Sequence, residues 1–338
     1  MNKRQAASTL AARLKLTSVL ERIGSRPALA VLIYHRISKP EGHRYDTGVI
    51  EATPEQFDAQ MGMLKQRHAV LDPDELTDVV VNPRKLRHLR VAVTFDDAYR
   101  DNYDHAFPIL ASHGLRATFF APTHYLGTRY IPWWDQIAWA VRSAGKSELR
   151  LTYPTELTVR VDPRDPEPAI RAVIRAYTRG GPELDLARYL AAVEEACELR
   201  LPAEVDDRQF MSWEEAREME RGGMAIGSHT HSHGILANMS AADQKRECEE
   251  SRSRLKEGLL SAETLAYPVG NQKTFSATTI QCAREAGYRC AFSNYGGINV
   301  PERMNPFDVR RIGMSLDVDV PELRMKLAVA GLARRALW

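Results

Sequence analysis

The sequence predicts an α/β fold with parallel strands at its centre. Three observations predict it. Ala28–Tyr34 is an unbroken apolar run, as expected of a strand buried on both faces. Val91-Ala92-Val93-Thr94-Phe95 and Ala117-Thr118-Phe119-Phe120-Ala121 are short runs rich in β-branched and aromatic residues. Between those two runs, Tyr99–His113 reads as a helix stopped at His113-Gly114. A strand, a helix and a strand joined by a short return make a parallel βαβ unit.

The remaining elements follow in order. Residues 1–27 read as a basic, helical N-terminal segment. Within it, Met1–Leu20 lacks the uninterrupted apolar core of a signal peptide. Lys39–Thr53 is polar and reads as a loop. Thr53-Pro54-Glu55-Gln56 opens a helix with a Thr N-cap, Pro at N1 and Gln at N3. Ala69–Leu71 is a short strand, and Asp72-Pro73-Asp74-Glu75 opens a second helix. Residues 130–207 read as a mainly helical insertion: a helix beginning at Trp133-Trp134, a hairpin within Thr152–Val161, and charged helices over Pro168–Leu201. Its aromatics, Trp133 and Trp134 foremost, are candidates to line a substrate cleft or to form core. Ser212-Trp213-Glu214-Glu215 restarts regular structure with a capping box. Strands at Met224–Gly227, Thr264–Tyr267 and Cys290–Ser293 alternate with helices at Ser240–Lys256 and Thr278–Ala286. Arg310–Gly313 reads as the end of a loop, and residues 321–338 as a terminal helix.

Composition narrows the functional classes. The chain has 338 residues, 44% hydrophobic and 27% charged, as in an ordinary globular protein. A net charge of +2 gives no argument for nucleic acid. The four cysteines, Cys197, Cys248, Cys282 and Cys290, show no CxxC spacing and suggest reduced thiols. No stretch approaches the ~20 apolar residues of a membrane span. These features lead to the expectation of a cytoplasmic protein, with a peripheral position at the inner membrane face compatible with them.

The chemistry concentrates in two places. The run Val91–Phe95 ends in two adjacent carboxylates, Asp96 and Asp97. Neighbouring side chains on a strand point to opposite faces, so the two share a role only if the chain turns there. Two buried like charges also call for a positive partner, and a metal ion is one. The second place is His229-Thr230-His231-Ser232-His233. A helical turn would bring His229 and His233 to one face, whereas an extended segment would align all three histidines. Two imidazoles and a carboxylate, with positions left for water, suit a catalytic zinc site. His35 follows the first strand, at the end where α/β folds collect functional groups.

With these residues the chain resembles the NodB-homology polysaccharide deacetylases, carbohydrate esterase family 4. The family's Thr-Phe-Asp-Asp-Gly is here Thr94-Phe95-Asp96-Asp97-Ala98, and its His-Ser/Thr-x-x-His is His229–His233, preceded by Ile226-Gly227-Ser228. The resemblance covers roughly 28–127 and 209–315. It implies a distorted (β/α) barrel, discontinuous over 28–129 and 208–320. It also implies removal of acetyl groups from an acetylated glycan, in bacterial surface polysaccharide assembly, with a lipid-linked glycan among the candidates. One divalent metal is implied, zinc before nickel or cobalt. Carried over residue by residue, Asp96 is the general base, and Asp97, His229 and His233 are the metal ligands. His231 is not one.

The third family motif, Arg-Pro-Pro-Tyr, corresponds to Ala266-Tyr267-Pro268-Val269. The resemblance makes Val269 N–H the oxyanion donor and puts Tyr267 and Pro268 against substrate. Ala266 stands where the family has an arginine paired with the base. Arg310 or Arg311 is expected to replace it, Arg311 being the residue assigned. The late Leu-x-His-Asp motif is absent, since no histidine lies beyond His233. Tyr34-His35 matches the N-terminal Tyr-His of relatives resembling poly-N-acetylglucosamine deacetylases, which makes His35 the expected general acid. Two other readings are hydrolysis of a non-sugar amide, and a catalytically inactive carbohydrate-binding homologue.

Overall fold

The computed structural model describes residues 26–181, 184–202, 204 and 208–332, together with residue 17. The expected N-terminal helical segment, apart from residues 17, 26 and 27, and the last residues of the expected terminal helix lie outside the described residues. The chain forms two compact units. One comprises the N-terminal part through Ser38, Glu51–Gly127 and the part from Phe210 onward; the other comprises Lys39–Ile50 and Thr128–Gln209.

In chain order the elements are β1 (Ala28–Tyr34), β2 (Arg36–Ile37), β3 (Ile50–Ala52), α1 (Pro54–Arg67), β4 (Ala69–Val70), α2 (Pro73–Val81), β5 (Leu89–Phe95), α3 (Phe107–Ser112) and β6 (Thr118–Ala121). Then come α4 (Trp133–Ser143), β7 (Glu148–Leu151), β8 (Leu157–Arg160), α5 (Glu167–Thr178) and α6 (Leu186–Cys197). The chain ends with α7 (Trp213–Arg221), β9 (Ala225–Ser228), α8 (Ala241–Glu257), β10 (Thr264–Ala266), α9 (Ala277–Glu285), β11 (Cys290–Phe292), β12 (Arg311–Gly313) and α10 (Val320–Leu332). The helices expected to open at Thr53, Asp72 and Ser212 do so, each with a capping box.

The first unit is a distorted (β/α) barrel. Its sheet runs β11-β10-β9-β6-β5-β1-β12, with β4 also paired to β5, and the pairings are parallel. One segment nearly closes it. Val309 bridges Phe292 in parallel, and Arg311–Gly313 two residues later pair with Val31–Ile33 of β1. Arg310–Gly313 therefore holds a strand where the sequence suggested the end of a loop. Its arginines hid it, because a buried arginine in a strand breaks the apolar pattern that marks one.

Alternation explains the continuous apolar runs. Leu29, Val31, Ala92, Phe120, Ala266, Phe292 and Val309 pack in one cluster, the barrel interior. Leu32, Tyr34, Val91, Val93, Phe95 and Phe119 pack in another, with α1 residues Phe57, Met61 and Leu64. Leu76, Val79 and Val80 of α2 join the interior cluster and plug the barrel together with Leu71 and Leu86. β1, β5 and β6 are thus apolar on both faces.

The segment Lys39–Thr53 is more ordered than a loop: Thr47–Val49 form a 3-10 turn and β3 pairs with β2. Within the second unit, β7 and β8 make an antiparallel hairpin. Its first strand precedes the expected Thr152–Val161, which contains the reversal and the second strand. There Trp133 packs on Trp134 and on Tyr177, with ring centroids 5.3 and 4.8 Å apart. Asp135 accepts a hydrogen bond from Asp46 N–H at 2.9 Å, which ties Lys39–Ile50 into this unit. Among the described residues no helix is long and apolar enough to cross a membrane.

Candidate active site

Asp96 is brought to the site by strand alternation, Asp97 by a turn. Asp96 has the same parity on β5 as the inward-facing Ala92, so it looks into the barrel at the carboxyl end of the strand. Asp97 would face outward by alternation. Instead Asp97 and Ala98 adopt φ of +70° and +56°, which turns the Asp97 side chain back toward the same site. Left-handed backbone costs a non-glycine residue on the order of 1–2 kcal/mol. Asp97, Ala98, Thr230, His233 and Val269 all adopt it here, and such strain gathers where function demands a fixed geometry.

His229 follows β9 and continues its ladder, donating its N–H to Ala121 O at 2.9 Å. Its Nδ1 lies 2.8 Å from Ala266 O. A carbonyl only accepts, so Nδ1 carries the proton and Nε2 presents a lone pair. That Nε2 is 3.5 Å from Asp97 Oδ1 and 3.6 Å from Asp96 Oδ2. His233 Nε2 is 3.1 Å from Asp97 Oδ1. The segment joining the two histidines is neither a helical turn nor a strand but an irregular loop with left-handed residues at Thr230 and His233. His231 points elsewhere: Nδ1 bonds Thr123 Oγ1 at 2.9 Å and Nε2 lies 3.4 Å from Glu250.

Asp97, His229 and His233 fit a divalent metal on three grounds. Their ligand atoms lie within 4.8 Å of one another, and all three residues are buried. Ligand atoms about 3.3 Å apart would match a tetrahedral ion with bonds of about 2.0–2.1 Å. Asp97 Oδ1 is buried without a hydrogen bond. Finally, Asp97 faces imidazole nitrogens, whereas the neighbouring carboxylates of Asp96 and Glu51 have cationic partners. Burial pushes His229 down to about 4 despite Asp96 nearby, so it is a neutral donor at pH 7.

Arg311 supplies the charge that Ala266 lacks. It is fully buried, and its two terminal nitrogens donate to Asp96 Oδ1 and Oδ2 at 2.6 and 2.7 Å, while Nε donates to Ser293 O at 3.0 Å. Arg310 has the opposite strand parity; its guanidinium lies over the Tyr295 ring instead. Burial alone would raise the Asp96 carboxyl, but Arg311 and then His229 outweigh it and hold it below the usual carboxylate range. Asp97 is held well below that range against burial by His233, His35 and His229.

His35 lies just past β1, and its neighbour Tyr34 accepts the N–H of Asp96 at 2.9 Å. A carboxylate that sequence reasoning missed holds it twice: Glu51 accepts from His35 N–H at 2.7 Å and pairs with Nδ1 at 2.8 Å. Asn102 donates to His35 O at 2.6 Å from a π-helical stretch, Asn102–Ala106, within the helix expected at 99–113. Burial disfavours a charged imidazole, but Glu51, assisted by Asp97 and Asp96, outweighs it and pushes His35 up to about 10. The only trace of Glu51 in the sequence is one acid between Ile50 and Ala52, the alternation of a half-buried strand.

The remaining expected residues divide. Val269 follows β10 by three residues with φ +60°. Tyr267 is fully buried, its ring stacked on Phe275 and its hydroxyl donated to Phe307 O at 3.0 Å, and Pro268 is buried beside it. Tyr267 thus serves packing. Trp133 and Trp134 are 6% and 5% exposed in the core of the second unit.

Comparison with known proteins adds a family. The Polysaccharide deacetylase family model matches residues 84–157 and 186–291, more than half of the chain. A Bacillus subtilis (strain 168) protein, YxkH, whose name places it among the polysaccharide deacetylases, is 32% identical over 107 residues, 31% of this chain. The match spans only 36% of that relative's length. Among solved structures, IcaB from Ammonifex degensii superposes with a TM-score of 0.58 at 20% identity, covering 91% of this chain and 99% of its own. The Streptococcus pyogenes deacetylase PplD, in complex with acetate, gives 0.56 at 20% identity, covering 88% and 97%. These likenesses are likenesses of fold.

Proposed function

This chain belongs to the polysaccharide deacetylase family, and from that premise we propose a metal-dependent N-deacetylase that hydrolyses acetamido groups of N-acetylated sugars in surface polysaccharide assembly. The observation that carries the proposal is the buried trio Asp97, His229 and His233 beside the Arg311–Asp96 pair. Asp97 Oδ1 and the Nε2 atoms of His229 and His233 would hold a divalent ion, zinc by preference. Bound there, such an ion supplies Lewis-acid polarisation of an acetyl carbonyl and a lowered pKa for water.

The chain's own residues do the rest. Asp96 stays ionised through Arg311, which uses two of the carboxylate's lone pairs and leaves others to accept a proton from the attacking water. Val269 N–H donates to the oxygen on which negative charge develops as the acetyl carbon becomes tetrahedral. His35, oriented through Nδ1 by Glu51, presents Nε2–H to the sugar nitrogen, so that the C–N bond breaks to an amine and acetate.

The test is acetate release from N-acetylglucosamine oligomers by protein stripped of metal and reloaded with zinc, alongside Asp97→Ala. Release that depends on zinc in the wild type and is lost in Asp97→Ala is expected. Equal release with and without metal, or no release under any metal, sinks the reading.

A further inference from the structure

The loop that carries His229 and His233 is anchored from outside the barrel by one carboxylate. On its inner side the loop is held by the segment after β6: Thr123 N–H donates to Thr230 O at 3.2 Å, and His124 N–H to His231 O at 2.9 Å. On its outer side lies α8, whose Gln244, Cys248, Ser251 and Leu255 are buried. Glu247 stands on the flank of that buried face. Its Oε2 accepts two successive backbone N–H groups, His231 at 2.9 Å and Ser232 at 2.8 Å, and its Oε1 accepts from Ser232 Oγ at 2.7 Å. Successive N–H groups converging on one anion form a nest, a turn geometry that an anion stabilises.

The loop needs such an anchor. Thr230 and His233 both sit in left-handed backbone, a conformation unfavourable for a β-branched threonine. Released, the turn would relax, and His233 Nε2 would leave its place 3.1 Å from Asp97 Oδ1. Glu247 itself touches neither of the two histidines. Glu250, one turn along α8, reaches only the His231 side chain, 3.4 Å away, and shares its carboxylate with Arg254.

We propose that Glu247 is a positioning residue that sets the affinity of the Asp97–His229–His233 site by clamping the 230–233 loop. The inference rests on the metal reading above. Groups that hold metal ligands in place are worth about 10- to 100-fold in metal affinity when removed.

The experiment measures zinc dissociation constants by chelator competition for the full chain as wild type, Glu247→Ala, Glu247→Gln, Glu250→Gln and Asp97→Ala, with the thermal midpoint of each metal-free protein. Glu247→Ala is expected to bind zinc about 10- to 100-fold more weakly, with Glu247→Gln between it and the wild type and Glu250→Gln close to wild type. Should Glu247→Ala not fold, Glu247→Gln decides, and wild-type affinity in it overturns the proposal. Unchanged zinc affinity in Glu247→Ala, with or without a fall in thermal midpoint, marks a merely structural contact and also overturns it. If that occurs while Asp97→Ala still abolishes binding, the metal reading stands. If the wild type binds no zinc, or Asp97→Ala binds it normally, the metal reading fails and the proposal fails with it.

Discussion

Arg311 holds Asp96 by both carboxylate oxygens from 215 residues further along the chain, and both side chains are buried. A planar fork meeting a carboxylate in two parallel bonds is a geometry that lysine lacks. Removing one member of a buried pair leaves an uncompensated charge, at a cost of about 3–5 kcal/mol. Arg311→Met is therefore expected to lose about that much stability in denaturant unfolding. Arg311→Lys should lose less, yet still reduce turnover, because the base is no longer oriented. Coupling is the sharper check: Asp96→Asn with Arg311→Met should be more stable than the sum of the single losses predicts.

Asp96→Asn isolates the base from the metal. Asparagine keeps the shape but takes no proton from water. Turnover should vanish while zinc stoichiometry, read by elemental analysis, stays at the wild-type value. Metal loss as complete as in Asp97→Ala would make Asp96 a ligand and send the search for the base elsewhere.

The leaving amine needs a proton, and a positioned acid contributes ~10²–10⁴ in rate. His35→Ala should keep fold and metal and lose turnover in that range. The loss should shrink on aryl acetates, whose leaving groups need little protonation. Equal loss on both substrate classes would mean that His35 positions rather than donates.

Glu51 predicts a pH effect of definite sign. It is the strongest influence holding the His35 proton against burial, and His35 is thereby raised to about 10. The protonated form is the acid, so activity is lost as pH climbs through that pKa. In Glu51→Gln the raising charge is gone and the pKa falls toward or below its ordinary ~6.5. The alkaline limb of kcat/KM should therefore move to lower pH by more than one unit, with the acid limb, set by Asp96, unmoved. An unmoved alkaline limb would disconnect Glu51 from the acid.

Trp133 separates a cleft wall from a core. Buried against Trp134 and Tyr177, it should cost about 3–5 kcal/mol when replaced by Ala, the range for large aromatic truncations. Denaturant unfolding measures this. A change in KM for a glycan, seen in a milder Trp133→Phe variant of near wild-type stability, would restore it as a substrate contact.

Local pattern was enough to find most of the barrel strands and the principal candidate residues. A parallel strand covered on both faces must be apolar throughout, so Ala28–Tyr34 and Val91–Phe95 declared themselves, and the cap residues Thr53, Asp72 and Ser212 marked helix starts within four residues of chain. Asp96-Asp97 and His229–His233 were legible because each is a short, chemically improbable cluster. The tertiary structure alone decided the rest. Arg311 could be told from Arg310 only by which face of β12 looks inward, and β12 itself was obscured by the arginine that makes it useful. Asp97 reaches the site through a left-handed turn that continues into Ala98, a residue with no preference for that conformation. Glu51 is one acid between apolar neighbours and Glu247 one of several acids on α8, and their partners lie 16 residues away in the chain. Sequence periodicity reports burial because burial repeats with the backbone. Pairing between single polar side chains does not repeat, so it becomes visible only once the chain has folded around them.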